Sequence, residues 1–214
     1  MVPVFDRRYR CPMCNLYRMT SSVEAMRRLF AVTGTAPNLP SYPEIYPDRE
    51  GPIIRVRDDG VRRIEVARWG VPPPAGVARP ITNVRNLASP FWRAALSTPA
   101  NRCLVPVSAF VEWTVEPDPG TGKKRKVWFE VVDAELFAFA GITRRGGPGE
   151  PDRYAFLTCA PNTVVGAVHP KAMPVILHGP AIDAWLNGDA ADALAVALDD
   201  ELVRIVEDGK TKEG

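Results

Sequence analysis

Short apolar runs rich in β-branched and aromatic residues, separated by proline, constrain the fold of this chain more than any other feature. The runs are IIRV, IEVARW, CLVPVSAFVEW, VWFEVVD, FAFAGI, YAFLT and MPVIL, and 22 of the 214 residues are proline. β-Branched and aromatic side chains favour strands, whereas proline fixes turns and is disfavoured in helix interiors and central strands. The pattern therefore predicts many short strands joined by fixed turns.

The first two runs lie on either side of Asp59-Gly60, a dipeptide typical of tight turns, and they predict a β-hairpin. The proline-rich segments 35–52 and 71–80 predict extended loops. A single domain is expected, because 214 residues are enough for one sizeable hydrophobic core.

Helices are predicted at both ends of this β-rich region. Ser21 and Glu24 have the spacing of a capping box, and apolar residues follow at helical spacing up to Gly34. Ser89-Pro90 indicates the start of a short helix. The late runs GPAIDAWL and ADALAVAL predict two more helices, and LVRIV predicts a closing strand. Together the patterns predict an α+β fold with a β-rich core.

The charge balance excludes a strongly basic, histone-like protein. There are 27 basic and 25 acidic residues, for a net charge of +2, so any nucleic-acid contact would need a local patch. No apolar run approaches the roughly 18 residues of a membrane span, and the N-terminus lacks the apolar segment of a signal peptide. We therefore expect a cytoplasmic protein without membrane contacts, whose thiols stay reduced.

Cys11 and Cys14 form a C-x-x-C, whose spacing alone fits half of a zinc site, a redox pair or a single working thiol. Zinc normally takes four ligands, but Cys103 and Cys159 stand alone and the chain has only two histidines. The sequence therefore gives zinc little support. A zinc-stabilised binding module that uses Cys11 and Cys14 remains an alternative.

Five pieces of the sequence occur in a characteristic order: MCNLYRMT, ARWG, ITNVRN, CLVPVSAFVEW and AVHPKAMPVIL. In this order they resemble the SOS response-associated peptidase (SRAP) family, whose members crosslink themselves to abasic sites in single-stranded DNA. The resemblance runs from about Met13 to Leu186. It implies a SRAP-like domain with a barrel-like core over residues 14–206, followed by a polar tail at 207–214. It also implies a monomer that needs no metal or cofactor.

In this family the catalytic cysteine directly follows the initiator methionine, and Cys14 follows Met13. The resemblance therefore implies that Cys14 is the nucleophile and Cys11 a bystander. Residues 1–13 would be an extension, either from a mis-assigned start codon or a removable propeptide. A free α-amine, with a pKa near ~8, attacks the aldehyde of an opened abasic sugar, and the thiol then closes a thiazolidine. An internal cysteine has no such amine, so stable crosslinking is expected only after the extension is lost.

The resemblance also implies roles for residues around Cys14. Asn83 would orient Cys14 and the sugar, Glu112 would act as acid or base on the amine, and His169 would transfer protons. Contacts with DNA are expected from two cations and two aromatic rings: Arg85, Lys171, Trp69 and Trp113. From the residues alone, each also has a structural interpretation: an ion pair for the carboxylate or cations, a hydrogen-bonded turn for the histidine, and a core position for the tryptophans.

The chain departs from the commoner family pattern in the segment after His169. The segment after His169 reads Pro-Lys-Ala-Met-Pro, one residue longer than usual and with Lys171 in place of arginine. Lysine is a point charge without the planar fork of arginine, so Lys171 is expected to hold phosphate less specifically. A thiol peptidase with a Cys14–His169 dyad is the remaining enzymatic alternative.

Overall fold

The computed structural model describes residues 14–194 and 199–206. The expected extension 1–13, which includes Cys11, and the expected tail 207–214 lie outside the described residues. Among the residues described, no helix is both long enough and apolar enough to cross a membrane.

The described residues form thirteen strands and five α-helices. The strands are β1 Tyr17–Met19, β2 Tyr42–Ile45, β3 Glu50–Val56, β4 Arg62–Trp69, β5 Asn83–Val84, β6 Arg102–Val107, β7 Ala109–Pro117, β8 Lys124–Val131, β9 Phe137–Arg144, β10 Arg153–Cys159, β11 Met173–Pro174, β12 Ile176–Leu177 and β13 Val203–Val206. The helices are α1 Val23–Leu29, α2 Pro90–Ser97, α3 Thr163–Gly166, α4 Pro180–Asn187 and α5 Ala190–Leu194. Short 3-10 helices cover Pro99–Asn101 and Asp200–Leu202.

Five strands close into a ring in the order β10, β4, β3, β6, β9 and back to β10. The β4–β10 pairing is parallel and the other four are antiparallel. The ring is uneven, because β3 and β4 pair along their whole length whereas β4 and β10 meet only at their ends. Closure leaves these strands without free edges. The expected α+β fold with a barrel-like core is thus confirmed.

A second sheet, in the order β13-β8-β7-β1-β2, packs beside the barrel. The chain passes from barrel to second sheet at Ser108, between β6 and β7. Ser108 fixes this corner, since its backbone N–H donates to Arg18 O (2.8 Å) and its hydroxyl accepts from Thr20 N (3.0 Å). The run CLVPVSAFVEW is therefore two strands in different sheets, and its glutamate lies on the second.

Aromatic rings fill the space between the sheets. Tyr17, Trp69, Phe139 and Phe156 are fully buried, and the Trp69 ring stacks on Phe156 with centroids 5.1 Å apart. Tyr17 meets Trp69 edge to face at 5.3 Å. Burial of a phenylalanine side chain contributes roughly 1.5–3 kcal/mol, so this cluster is a main source of stability.

Two sequence expectations need correction. Helix α1 begins one residue later than predicted, because the cap is Ser22, whose hydroxyl accepts from Ala25 N (3.1 Å), and the helix ends at Leu29. The predicted loop 35–52 contains β2 and the start of β3. Strand β2 tolerates its proline because it is the edge strand of the second sheet.

The hairpin and the helix at Pro90 are confirmed. Strands β3 and β4 pair antiparallel, and Gly60 takes the positive φ of +75° that their connecting turn requires. Helix α2 begins at Pro90 as predicted. The late helices correspond to α4 and α5, although part of ADALAVAL lies outside the described residues.

Candidate active site around Cys14

The backbone of Cys14 is held at both of its polar groups by side chains from other elements. Asn83 Nδ2 donates to Cys14 O at 3.0 Å. The backbone N–H of Cys14 donates to the carboxylate of Glu112. The backbone nitrogen and the carbonyl of Cys14 are therefore both held in place, and this limits where its side chain can lie.

Strand pairing explains why these residues meet. Strand β1 pairs with β7, and the pairing continues past β1 through the bond from Val111 N to Leu16 O (2.9 Å). Continued in the same register, this places Asn15 opposite Glu112 on β7 and Cys14 one residue further along, so that the Cys14 backbone reaches the Glu112 carboxylate. Asn83 lies on β5, which pairs with β10 of the barrel, and its Nδ2 also donates to Thr82 Oγ1 (3.0 Å). Three distant segments of the chain thus form one site.

Glu112 is a buried carboxyl, with only 1% of its surface exposed. Burial raises its pKa to about 8, although the hydrogen bond from the Cys14 backbone partly opposes the rise. Its Oε2 makes no hydrogen bond to any residue that the structure describes. A carboxyl with a pKa near neutral pH can both donate and accept a proton, which suits acid–base work.

His169 lies three residues beyond α3, and its backbone N–H donates to Val165 O (2.8 Å). Its Nδ1 is 4.0 Å from Glu112 Oε2, too long for a direct hydrogen bond. Burial lowers the pKa of the imidazole, a hydrogen bond to the Trp113 backbone opposes this, and nearby cations lower it further. The ring is therefore neutral near pH 7 and available to accept a proton.

The thiol of Cys14 is buried, and Sγ donates to Leu16 O at 3.7 Å. Burial raises its pKa well above the ordinary value, and the charge of Glu112 raises it further. A Cys–His peptidase needs the opposite, a thiolate stabilised by imidazolium. The electrostatics of this site therefore do not favour the Cys14–His169 dyad.

Arg85 and Lys171 lie together on the exposed rim of the site. Arg85 Nη1 donates to Lys171 O at 2.6 Å, and both cations lower the pKa of His169. Trp113 is half-buried, and its Nε1 donates to Asn15 Oδ1 (2.8 Å). Three of the four residues expected to contact DNA are thus brought to this region.

Trp69 is different, because it lies in the core. None of its surface is exposed, and its Nε1 donates to Thr82 O (3.0 Å). A ring without an exposed face cannot stack on a base, so Trp69 stabilises the core and does not contact DNA.

Asn15 and Thr82 are site residues that the sequence reasoning missed. Each adjoins a predicted residue, Cys14 or Asn83, and each binds a side chain that was itself predicted. Their place beside the predicted residues was the only available signal, because the hydrogen bond between Asn15 and Trp113 spans 98 positions of the chain.

Within residues 14–194 and 199–206, no three His, Cys, Asp or Glu side chains are arranged to hold a metal ion. Cys11, the other half of the C-x-x-C, lies outside the described residues. Cys103 is buried in the core, whereas Cys159 is exposed, and neither forms a disulfide in the structure.

Solved structures share this fold. A protein from Bordetella bronchiseptica matches with a TM-score of 0.70 and 25% identity, over 90% of this chain and 98% of that one. A phage-related protein from the same organism gives 0.72 and 20%, over 90% and 93% of the two chains. A protein from Bacteroides thetaiotaomicron gives 0.72 and 21%, over 90% of each. No curated protein matches the chain significantly.

The barrel with its adjoining second sheet is therefore the fold class to which these solved structures belong. The sequence model of the SOS response associated peptidase (SRAP) family matches residues 13–207. The chain belongs to this family.

Proposed function

We propose that this protein processes abasic sites in single-stranded DNA by forming a covalent thiazolidine crosslink through Cys14. The proposal requires Cys14 to be the first residue of the active form. The observation that carries it is the fixation of Cys14 at both backbone groups, with its nitrogen against Glu112 and its carbonyl against Asn83. A free α-amine in this place would have an acid–base group in direct contact.

The reaction needs only the amine and the thiol of Cys14. The amine adds to the aldehyde carbon of the opened sugar and loses one water to give an imine. The S–H group then adds across the C=N bond, so that sulfur binds carbon, nitrogen takes the thiol proton, and a five-membered ring closes. The product has the mass of protein plus DNA less one water.

The neighbouring side chains suit the proton transfers of this sequence. Glu112, with its pKa raised to about 8, could accept the proton of the attacking amine and return it to the departing water. His169 is neutral, and its Nδ1 lies 4.0 Å from Glu112 Oε2. It could transfer protons to and from the sugar hydroxyls, while Glu112 does so for the amine. Reversal of these steps would release the DNA slowly.

The DNA partner would contact the rim of the site. Arg85 and Lys171 are exposed cations suited to phosphate, and Trp113 offers a half-buried ring to an unpaired base. Such a protein would act where single-stranded DNA occurs in the cytoplasm.

Removal of residues 1–13 would supply the amine, and this is the peptidase-like part of the proposal. Hydrolysis of the Met13–Cys14 bond adds water to the carbonyl carbon and releases the nitrogen of Cys14, which must gain a proton. A protonated Glu112 bonded to that nitrogen is suited to give it. An aminopeptidase acting on a chain started at Met13 would have the same result.

The test is the intact mass of the expressed full-length protein before and after incubation with a single-stranded oligonucleotide that carries one abasic site. We expect a chain beginning at Cys14 that gains the oligonucleotide mass less one water. An oligonucleotide with an intact base at that position is the control for DNA, and Cys14→Ser is the control for the thiol. The serine variant keeps an amine but cannot form the thiazolidine.

Two results would contradict the proposal. One is a trimmed chain that forms no adduct, and the other is an adduct on a chain that still begins at Met1. Glu112→Gln also distinguishes the two routes of removal. Loss of residues 1–13 from the parent but not from Glu112→Gln would indicate self-cleavage, whereas loss from both the parent and the variant would indicate an aminopeptidase.

A further inference from the structure

The outer face of the second sheet carries two aromatic rings around one ammonium group, which the chemistry of Cys14 does not use. Lys126 Nζ lies 6.0 Å from the ring centroid of Tyr46 and 6.0 Å from that of Trp113. Tyr46 follows β2, Trp113 is on β7 and Lys126 is on β8. We call these three residues the outer shelf.

The outer shelf adjoins the reactive cysteine through one side chain. Asn15, which directly follows Cys14, accepts a hydrogen bond from Trp113 Nε1 at 2.8 Å. The backbone of Trp113 in turn binds the His169 ring. If a nucleotide of single-stranded DNA lies at Cys14, the adjacent nucleotides of that DNA would therefore lie beside the outer shelf.

Tyr46 is displayed on a rigid turn. Arg49 N donates to Tyr46 O (3.1 Å), Pro47 takes the second position, and Asp48 takes the third with a φ of +66°, which defines a type II turn. Asp48 N donates to Trp69 O (2.7 Å) and thereby fastens the turn to the barrel. Tyr46 as a whole keeps 37% of its surface exposed. A fixed and exposed ring loses little conformational entropy when it binds a partner.

The charge of the outer shelf is compensated locally. Lys126 Nζ is 3.1 Å from Glu44 Oε1, and Tyr46 OH donates to Glu44 Oε2 (2.8 Å). The ammonium therefore offers phosphate less than an unpaired cation would. What the outer shelf presents is ring surface, and ring faces bind unpaired bases of any sequence.

We propose that the outer shelf stacks an unpaired base of single-stranded DNA next to the abasic nucleotide, with Tyr46 as the main contact. The inference rests on the proposed function, because it assumes that a DNA strand passes Cys14. It adds a binding residue, Tyr46, outside the sequence motifs, to the stacking contact proposed for Trp113.

The test measures binding of a fluorescent single-stranded oligonucleotide that has no abasic site, by anisotropy at several salt concentrations. Stacking on one ring is worth enough that Tyr46→Ala should weaken binding about tenfold, with an unchanged dependence on salt. Tyr46→Phe keeps the ring and should stay within about twofold of the parent. Ile205→Ala is the control, since Ile205 is an even more exposed apolar residue, at 53%, but lies on β13 at the far edge of the sheet.

Two results would overturn the inference. Binding by Tyr46→Ala equal to that of the parent would show that the ring is not a contact, and equal losses in the alanine and phenylalanine variants would assign the effect to the hydroxyl. Tyr46→Leu, which keeps apolar bulk without a ring face, repeats the test should the alanine variant unfold. Crosslinking of an abasic oligonucleotide by the parent protein is scored separately, so failure of the proposed function is distinguishable from failure of the shelf.

Discussion

The structure buries two ionisable side chains in opposite ways. Arg55 is 5% exposed, and its guanidinium binds Glu65 Oε2 (2.7 Å), Thr143 Oγ1 (3.3 Å) and the Asp152 carboxylate. Glu112 is 1% exposed, and its Oε2 accepts no hydrogen bond from the residues described. The first group is neutralised by its partners and the second is not. This difference separates a charge that holds the fold from one that is poised for proton transfer.

The largest expected effect comes from breaking the compensated group. Arg55→Met should lower the free energy of unfolding by about 3–5 kcal/mol, because Asp152 then loses its guanidinium partner and Glu65 keeps only the exposed Arg57. Urea unfolding at pH 7 measures this loss. Arg57→Met is the matched control, since Arg57 also binds Glu65 but is 45% exposed and should contribute less than about 1 kcal/mol. Equal effects of the two variants would contradict the contrast.

Removing the charge of the uncompensated group should stabilise the protein. The pKa of Glu112 is raised from the ordinary 4.5 to about 8, so the folded state binds more protons than the unfolded state between these values. The contribution of Glu112 to stability is therefore complete below about pH 4.5, falls as the pH rises, and levels off above pH 8. Glu112→Gln should lose this dependence and exceed the parent by about 2–3 kcal/mol at pH 8.5.

Unfolding at pH 5 and pH 8.5 tests this prediction on parent and variant protein whose intact mass shows that residues 1–13 are still attached, because there the Cys14 nitrogen is an uncharged amide. Glu116→Gln, an exposed glutamate on the same strand, should leave the pH dependence unchanged. A glutamine variant whose stability falls with pH as steeply as that of the parent would show that Glu112 is not the titrating group.

Sequence patterns predicted the local structure better than the site. The hairpin at Gly60 and the helix at Pro90 follow from local backbone chemistry, and both are confirmed. Local patterns do not divide the run CLVPVSAFVEW into two strands. The corner at Ser108 depends on hydrogen bonds with Arg18 and Thr20, about ninety residues away in the chain. The proximity of Glu112 to Cys14 likewise depends on strand pairing, which periodicity does not specify. The expectation that Cys14, Asn83, Glu112 and His169 belong to one site came instead from the order of the family motifs.

Asn83→Ala should have a smaller effect, on the rate of the reaction. It removes the donor to Cys14 O, so the amine would no longer be aligned with Glu112 and crosslinking should slow about tenfold, or about 1.4 kcal/mol. Single-turnover crosslinking at saturating abasic DNA measures this rate. Thr82→Val, which removes only the hydroxyl that holds the Asn83 amide, is the matched control and should slow the reaction less. An alanine variant as fast as the parent would show that Cys14 is held without Asn83.

The smallest effect is expected at an exposed cation that, unlike Arg55, donates to a neutral carbonyl. Arg85 binds Lys171 O, so Arg85→Ala should change the free energy of unfolding by no more than about 0.5 kcal/mol. In the parent protein the Arg85 charge is available to phosphate. Its loss in Arg85→Ala should therefore weaken DNA binding a few-fold and reduce the slope of log affinity against log salt by about one. Arg93→Ala, an exposed arginine on α2, should leave the slope unchanged. Weaker binding at an unchanged slope would mean that Arg85 supports the rim without contacting phosphate.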